Sequence, residues 1–222
     1  MDKNELLIPN QIVKSKRKSI SLIIKSNGEF IIRAPIRAKD VDILKFVNQK
    51  ADWIIKKRTE QVNSAIKPIS FLENEQIMIL GKHYRLKFND TAKVEFEEDK
   101  LILPQNNAKE NLIAFLKKYA RHYITERVNV ISQQFNFNYK SISITSAKTC
   151  WGSCSYSNKL HFTYKLIMCP PDVIDYIVLH ELCHTRVKNH RHEFWALVEK
   201  CNPNFKAYEK WLKTNRGVIE LI

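Results

Sequence analysis

The segment VIDYIVLHELCHTRVKNH runs from Val173 to His190 and contains three histidines and one glutamate. Its first part, VIDYIVL, is almost wholly apolar, and Pro170-Pro171 and then Asp172 precede it. Proline suits the first turn of a helix, and an acidic residue in that turn complements the helix dipole. The segment therefore predicts a buried helix from which His180 emerges with its side chain held by packing.

The spacing of His180, Glu181 and His184 indicates a metal site on this helix. Each residue of an α-helix turns by about 100°, so residues four apart point in nearly the same direction. Two imidazoles at this spacing can hold one tetrahedral divalent cation. Glu181 lies to one side of that face, where its carboxylate can reach a metal-bound water without binding the metal.

The sequence alone does not decide which residue is the third protein ligand of the metal. His190 lies six residues after His184 and is favoured, but the chain must turn to bring it back. Asn189 tolerates a left-handed conformation and can end the helix there. The alternatives are His192 and, on the next helix, Glu193 and Glu199.

The ligand chemistry favours Zn²⁺ and hydrolysis. Neutral imidazole suits zinc, and three protein ligands leave a fourth position for water, whose pKa falls to about 7 on the metal. Glu181 would accept the proton of that water as a general base. We therefore expect a zinc-dependent hydrolase, with Mn²⁺, Ni²⁺ or Fe²⁺ as alternative metals.

Outward from this helix, the pattern predicts an α+β protein with a strand-rich N-terminal part. The run SISLIIKSNGEFIIRAP alternates on both sides of Ser26-Asn27-Gly28, which predicts a β-hairpin. Apolar residues at helical spacing predict a helix from Asp40 to about residue 62; they are Val41, Leu44, Val47, Ala51, Ile54 and Ile55.

A boundary is predicted at Pro104-Gln105-Asn106-Asn107, which gives one domain over residues 1–105 and another over residues 106–222. The second domain should hold a long helix over about 108–135, a small antiparallel sheet, the His180 helix and a last helix from about Arg191 to Cys201. The buried stripe of the long helix is expected to be Leu112, Leu116, Tyr119, Tyr123, Val128, Ile131 and Phe135. The strand KLHFTYKL is a candidate edge for pairing with an extended peptide.

The charge and composition limit the class of protein. Lys and Arg number 37 against 23 Asp and Glu, and the formal charge of +14 indicates either a lysine-rich solvated surface or acidic partners such as nucleotides or nucleic acid. The cluster KKYARHY interleaves aromatics with cations, but its tyrosines fall on the expected buried stripe. No signal peptide or membrane span is apparent, so a soluble, cytoplasmic protein without a membrane partner is expected. Five unevenly spaced cysteines do not suggest a disulfide framework.

The chain from Cys150 to Pro203 resembles the YgjP-like (WHG-domain) metal-dependent hydrolases, which are related to SprT-like and gluzincin-type zincins. The lead region from Arg17 to Lys57 also resembles the start of that family, so the resemblance covers nearly the whole chain. The features that carry the resemblance are Trp151-Gly152-Ser153-Cys154, Pro170-Pro171, His180-Glu181-Leu182-x-His184, Asn189-His190 and Phe194-Trp195. The resemblance implies a zincin-like C-terminal half, a metal at His180, His184 and His190, and Glu181 as catalytic base. It also implies peptide or protein hydrolysis. Val187 stands where metzincins have a glycine, which argues against that subgroup.

Four further residues are candidates for substrate binding. Trp151 and Gly152 lie between two predicted strands, where they would line the cleft or form a packed corner. Arg191 and His192 flank His190 and would stabilise an oxyanion or bind phosphate, or else lie on a solvated surface.

Two other functions remain open from the sequence. The first is a metal-dependent nucleotide pyrophosphatase, which the positive charge and Arg191 favour. The second is a non-enzymatic nucleic-acid-binding module with a structural zinc.

Overall fold

The computed structural model describes residues 5–25, 28–63, 68–90 and 93–222. Their contacts group the chain into two compact units, residues 1–66 and residues 67–222. The predicted α+β class is confirmed, with short strands early in the chain and most helices later. None of the described helices is both long enough and apolar enough to cross a lipid bilayer.

The N-terminal unit packs two helices against a three-stranded sheet in the order β1-β3-β2. Its elements are β1 Gln11–Ser15, β2 Ser21–Ile24, β3 Phe30–Pro35, α1 Asp40–Gln49 and α2 Ala51–Asn63. Strands β2 and β3 pair antiparallel, as the hairpin prediction requires, but the turn residues Ser26 and Asn27 lie outside the described residues.

The helix predicted from Asp40 onward is two helices, because the chain leaves helical geometry at Lys50 (φ −110°, ψ 11°). The buried face of α1 also differs from the prediction. Ile43 and Val47 are buried against the sheet, whereas Val41 and Leu44 are exposed. The prediction placed Val41 and Leu44 on the buried face of the helix and left out Ile43.

The C-terminal unit begins with a four-stranded sheet in the order β4-β5-β7-β6 and continues with a three-stranded sheet in the order β8-β10-β9. The strands are β4 Gln76–Ile79, β5 Lys82–Asn89, β6 Glu95–Glu97, β7 Lys100–Pro104, β8 Ser141–Thr145, β9 Gly152–Cys154 and β10 Lys159–Thr163. The second sheet is mixed and not purely antiparallel, because β8 runs parallel to β10. The first five residues of KLHFTYKL form β10, which is the central strand and not an edge, and Tyr164–Met168 is a 3-10 helix. Strands β8 and β9 form the two edges of this sheet.

The core of this unit lies around two helices, α3 (Ala108–Gln134) and α4 (Pro171–Cys183), which pack against each other. Buried residues recur on α3 every three or four positions: Leu112, Leu116, Ala120, Ile124, Val128 and Ile131. Arg127 donates two hydrogen bonds, of 2.7 and 2.8 Å, to the Asp175 carboxylate and so ties α3 to α4. Tyr119 and Tyr123, expected in the stripe, are only half-buried.

Two shorter helices follow, α5 (His192–Cys201) and α6 (Phe205–Thr214), and the sequence predicted only the first. The boundary predicted after residue 105 falls inside the C-terminal unit, between β7 and α3. These two elements pack on each other, so their contacts favour a division after residue 66.

Candidate metal centre

Helix α4 positions the first two histidines. Its side chains are buried on nearly every face: Val173, Ile174, Tyr176, Ile177, Val178, Leu179, Leu182 and Cys183. A helix packed on all sides has little freedom to shift, so the side chains at its C-terminal end are held in place. His180 lies in the last turn and His184 is the C-cap residue.

Three imidazoles converge on one point. The Nε2 atom of His190 lies 3.1 Å from Nε2 of His180 and 3.1 Å from Nε2 of His184. Nitrogen ligands of tetrahedral Zn²⁺, at about 2.0–2.1 Å from the ion, are separated from each other by about 3.3 Å. The observed spacing therefore fits three ligands of one shared cation. Among the described residues, this is the group of His, Cys, Asp and Glu side chains placed to hold a metal.

The tautomer of His184 is fixed by the backbone. Its Nδ1 lies 2.9 Å from the Val187 carbonyl oxygen, so Nδ1–H is the donor and Nε2 keeps its lone pair for a metal. The Phe194 ring stacks on His184, with ring centroids 4.3 Å apart. Orientation of the ligand thus comes from one hydrogen bond and one aromatic contact.

His180 is held by packing instead. Its Nδ1 is buried and has no hydrogen-bond partner among the described residues. The rings of Phe194 and Tyr176 lie edge-on to it, with centroids 4.9 and 6.0 Å away. Burial, with the nearby His184 and His190 rings, lowers the pKa of His180 to about 3. The ring is therefore neutral at neutral pH, which is the form that binds metals.

His190 returns to the helix through a turn that the sequence did not fully predict. The helix ends before it, where the backbone N–H groups of Thr185 and Val187 bond to the Leu182 and Cys183 carbonyls. Asn189 does not adopt the expected left-handed conformation. Its side-chain oxygen instead accepts a hydrogen bond from the Arg191 backbone N–H at 3.0 Å.

Two cations fasten the loop between His184 and His190. Lys188 Nζ donates to the Ser155 carbonyl at 2.9 Å and to Asn158 Oδ1 at 2.5 Å, both in the turn between β9 and β10. Arg186 Nη2 donates to the Asn136 carbonyl at 2.7 Å, just after α3. The loop is thus bound on both sides to rigid elements, which fixes the third imidazole.

Glu181 lies beside the triad in a tight space against β9. Its side chain is 6% exposed, and no described residue hydrogen-bonds to its carboxylate. Burial raises the pKa of Glu181 to about 8, and a cation bound by the three histidines would lower it again, because a nearby positive charge favours the carboxylate. A Cβ on Gly152 would lie 2.8 Å from Glu181 Cγ and 3.0 Å from Oε1. Only glycine at position 152 leaves room for this carboxylate.

A cavity of about 380 Å³ opens beside Glu181 and His180. Trp151 and Gly152 line it, as the sequence analysis expected for a cleft. The sequence analysis did not single out several other residues that line it, among them Tyr176 on α4, Glu209 and Lys213 on α6, and Arg216 just after it. Helix α6 could have been predicted from apolar residues at helical spacing, namely Phe205, Tyr208, Trp211 and Leu212. That spacing does not indicate that the helix borders the cavity.

The other candidates lie elsewhere. Arg191 is the exposed N-cap residue of α5, and His192 is its exposed first residue. Neither lines the cavity beside Glu181, and His192, Glu193 and Glu199 are outside the metal-ligand cluster.

Three comparisons place the chain among known proteins. No curated protein matches the chain. The metallopeptidase zymogen jannalysin of Methanocaldococcus jannaschii is 24% identical, with a TM-score of 0.38, over 42% of this chain and 96% of its own. The zymogen abylysin of Pyrococcus abyssi is 20% identical, with a TM-score of 0.38, over 41% of this chain and 92% of its own. The model of the YgjP-like, metallopeptidase domain family matches residues 18–215, so the chain belongs to that family.

Proposed function

We propose that the chain is a zinc-dependent peptidase in which His180, His184 and His190 bind the metal and Glu181 is the general base. The observation that carries this proposal is the convergence of three Nε2 atoms beside a buried carboxylate. Membership of a metallopeptidase-domain family supports the same class of reaction.

The donor set favours zinc. Three neutral imidazoles with no carboxylate among them suit a borderline-soft ion better than Mg²⁺ or Ca²⁺, which prefer oxygen. A zinc ion bound there supplies Lewis acidity, which polarises a carbonyl and makes a neighbouring water more acidic.

Glu181 transfers the proton from the attacking water to the leaving group in this proposal. Its carboxylate borders the cavity that Trp151 and Gly152 line, and no described residue competes for its lone pairs. From this position Glu181 takes the proton of the attacking water and delivers it to the leaving amine. The close contact with Gly152 determines the position of the Glu181 carboxylate.

An extended polypeptide is the substrate that the surroundings favour. Within the described sheet, β9 pairs only with β10, and its first residue, Gly152, lies against Glu181. A free strand edge can pair with an extended peptide through backbone hydrogen bonds. The scissile carbonyl would then lie next to the base.

The test is a comparison of Glu181→Gln with the wild type and with Glu193→Gln, which alters a glutamate outside the cluster. Metal content and hydrolysis of an unfolded polypeptide are measured for each. We expect Glu181→Gln to keep about one metal per chain and to lose about 10²- to 10⁴-fold in rate. A variant with full metal and full activity would remove Glu181 from the mechanism.

Phosphoanhydride hydrolysis is the second candidate, because Lys213 and Arg216 line the same cavity and could bind phosphate. Incubation with nucleoside triphosphates, under the conditions used for the polypeptide, separates the two. Release of phosphate or pyrophosphate without peptide cleavage would favour this candidate.

A further inference from the structure

A groove along α3 differs from the metal centre in shape and chemistry. Two cavities, of about 610 and 620 Å³, both open on this helix and share Lys118 and His122. The helix residues that line them are Asn111, Ala114, Phe115, Lys118, Tyr119, Arg121, His122, Thr125, Glu126 and Asn129. Most of these follow spacings of three and four, so they share one face. At about 1.5 Å per residue, the α3 groove is about 27 Å long.

Aromatic rings form one end of the α3 groove. Phe115 and Tyr119 line the first cavity with their rings nearly parallel, at an interplanar angle of 9°. Phe96 on β6 meets both rings edge-on, with centroids 5.4 and 5.7 Å away. The expectation that the KKYARHY aromatics belong to the core is thus only partly met, because Tyr119 is half-buried and borders open space.

Cations line the rest of the α3 groove. Lys118 and Arg121 are exposed and make no ion pair among the described residues, and His122, also exposed, lines both cavities. No acidic side chain of the described chain lines the first cavity, and Glu126 is the acid in the second. The groove therefore keeps a positive balance within a chain of formal charge +14.

We propose that the α3 groove binds single-stranded nucleic acid. Aromatic rings next to the exposed cations Lys118 and Arg121 suit unstacked bases followed by a phosphate backbone. A duplex hides the faces of its bases, so the rings favour a single strand. This site is separate from the metal centre, and none of its residues lines the cavity beside Glu181.

The test measures binding of a fluorescent oligothymidylate of about twelve nucleotides by anisotropy over a range of salt concentrations. The variant Lys118→Glu/Arg121→Glu is compared with Lys200→Glu/Lys210→Glu, which changes the net charge equally on α5 and α6. We expect the groove variant to bind at least about tenfold more weakly than the control. Each phosphate contact contributes about −0.7 to the salt slope on a single strand, so the slope should shrink by about 1.4.

A second variant tests the aromatic end. Phe115→Leu keeps an apolar side chain but loses the ring, so it should weaken binding of the oligothymidylate about tenfold. It should leave binding of an abasic strand of equal length unchanged. Thermal unfolding of each variant shows whether the fold is kept.

Three results would overturn the proposal. They are no measurable binding by the wild type, equal binding by the groove variant and the Lys200/Lys210 control, or equal competition by polyglutamate. The last result would assign the α3 groove to an acidic polypeptide.

Discussion

At the scale of single residues, Gly152 leaves the space that the Glu181 side chain occupies. A Cβ at this position would meet Cγ and Oε1 of Glu181 within 3.0 Å. We expect Gly152→Ala to displace the carboxylate, to destabilise the fold by about 1–3 kcal/mol and to lower peptidase activity about 10²-fold. Metal content should be unchanged, because Glu181 is not a ligand. Ser153→Ala, at the exposed next position, is the control, and an active Gly152→Ala would contradict the argument.

In the proposed metal site, Lys188 would position His190 through the loop that carries it. Its bonds to Ser155 and Asn158 tie that loop to the β9–β10 turn. We expect Lys188→Met to weaken metal affinity about 10- to 100-fold, as is usual when a group that positions a ligand is lost. Competition with a chelator measures this affinity, with Lys140→Met as control. We expect Lys188→Arg to keep most of the metal affinity of the wild type. An unchanged metal affinity in Lys188→Met would show that the loop keeps its conformation without the Lys188 hydrogen bonds.

The cysteines should differ in reactivity. Cys169 is fully buried, and burial raises the pKa of its thiol, so the thiol stays protonated as the pH rises to about 9. Cys150 is exposed. We expect a thiol reagent to label Cys150 in the native protein while Cys169 stays unlabelled until denaturant is added. Peptide mapping by mass spectrometry reads both sites, and early labelling of Cys169 would show that this core opens.

At the scale of elements, the relative positions of site residues were easiest to predict where the residues lie along one helix. His180, Glu181 and His184 share α4, so their spacing fixes their geometry. His190 depends on a turn made by long-range bonds from Arg186 and Lys188, and no local pattern encodes those partners. The break at Lys50 was missed for a similar reason, because apolar residues continue on both sides and only packing against the sheet reveals two helices.

The pairing of α3 with α4 through Arg127 and Asp175 can be tested directly. Both side chains are about 30% exposed, and the two hydrogen bonds are parallel. We expect Asp175→Asn to lower the free energy of unfolding by about 1 kcal/mol, because such partly exposed pairs contribute little more. Chemical denaturation measures the loss, and Glu95→Gln, at an exposed site on β6, is the control. A loss above about 3 kcal/mol would mean that the pair behaves as a buried one.

At the scale of the whole molecule, the position of the domain boundary decides which fragment folds. The sequence predicted a boundary after residue 105, at a polar, turn-forming stretch, whereas the contacts divide the chain after residue 66. Local composition marks a loop but does not reveal which elements pack across it. Here β7 packs on α3, and the Leu80 backbone N–H bonds to the Ile167 carbonyl at 2.9 Å.

Two fragments distinguish the boundaries. Residues 68–222 contain both sheets of the C-terminal unit, the three histidines and Glu181, so this fragment should unfold cooperatively and bind about one zinc per chain. Residues 106–222 lack β4 to β7, which would leave the buried side of α3 around Leu112 and Leu116 without the sheet that packs on it, so this fragment should aggregate or bind ANS. Circular dichroism, denaturation and metal analysis compare the two with the full chain. A stable, metal-binding fragment 106–222 would favour the boundary that the sequence predicts, because the ligands would then need nothing from the first sheet.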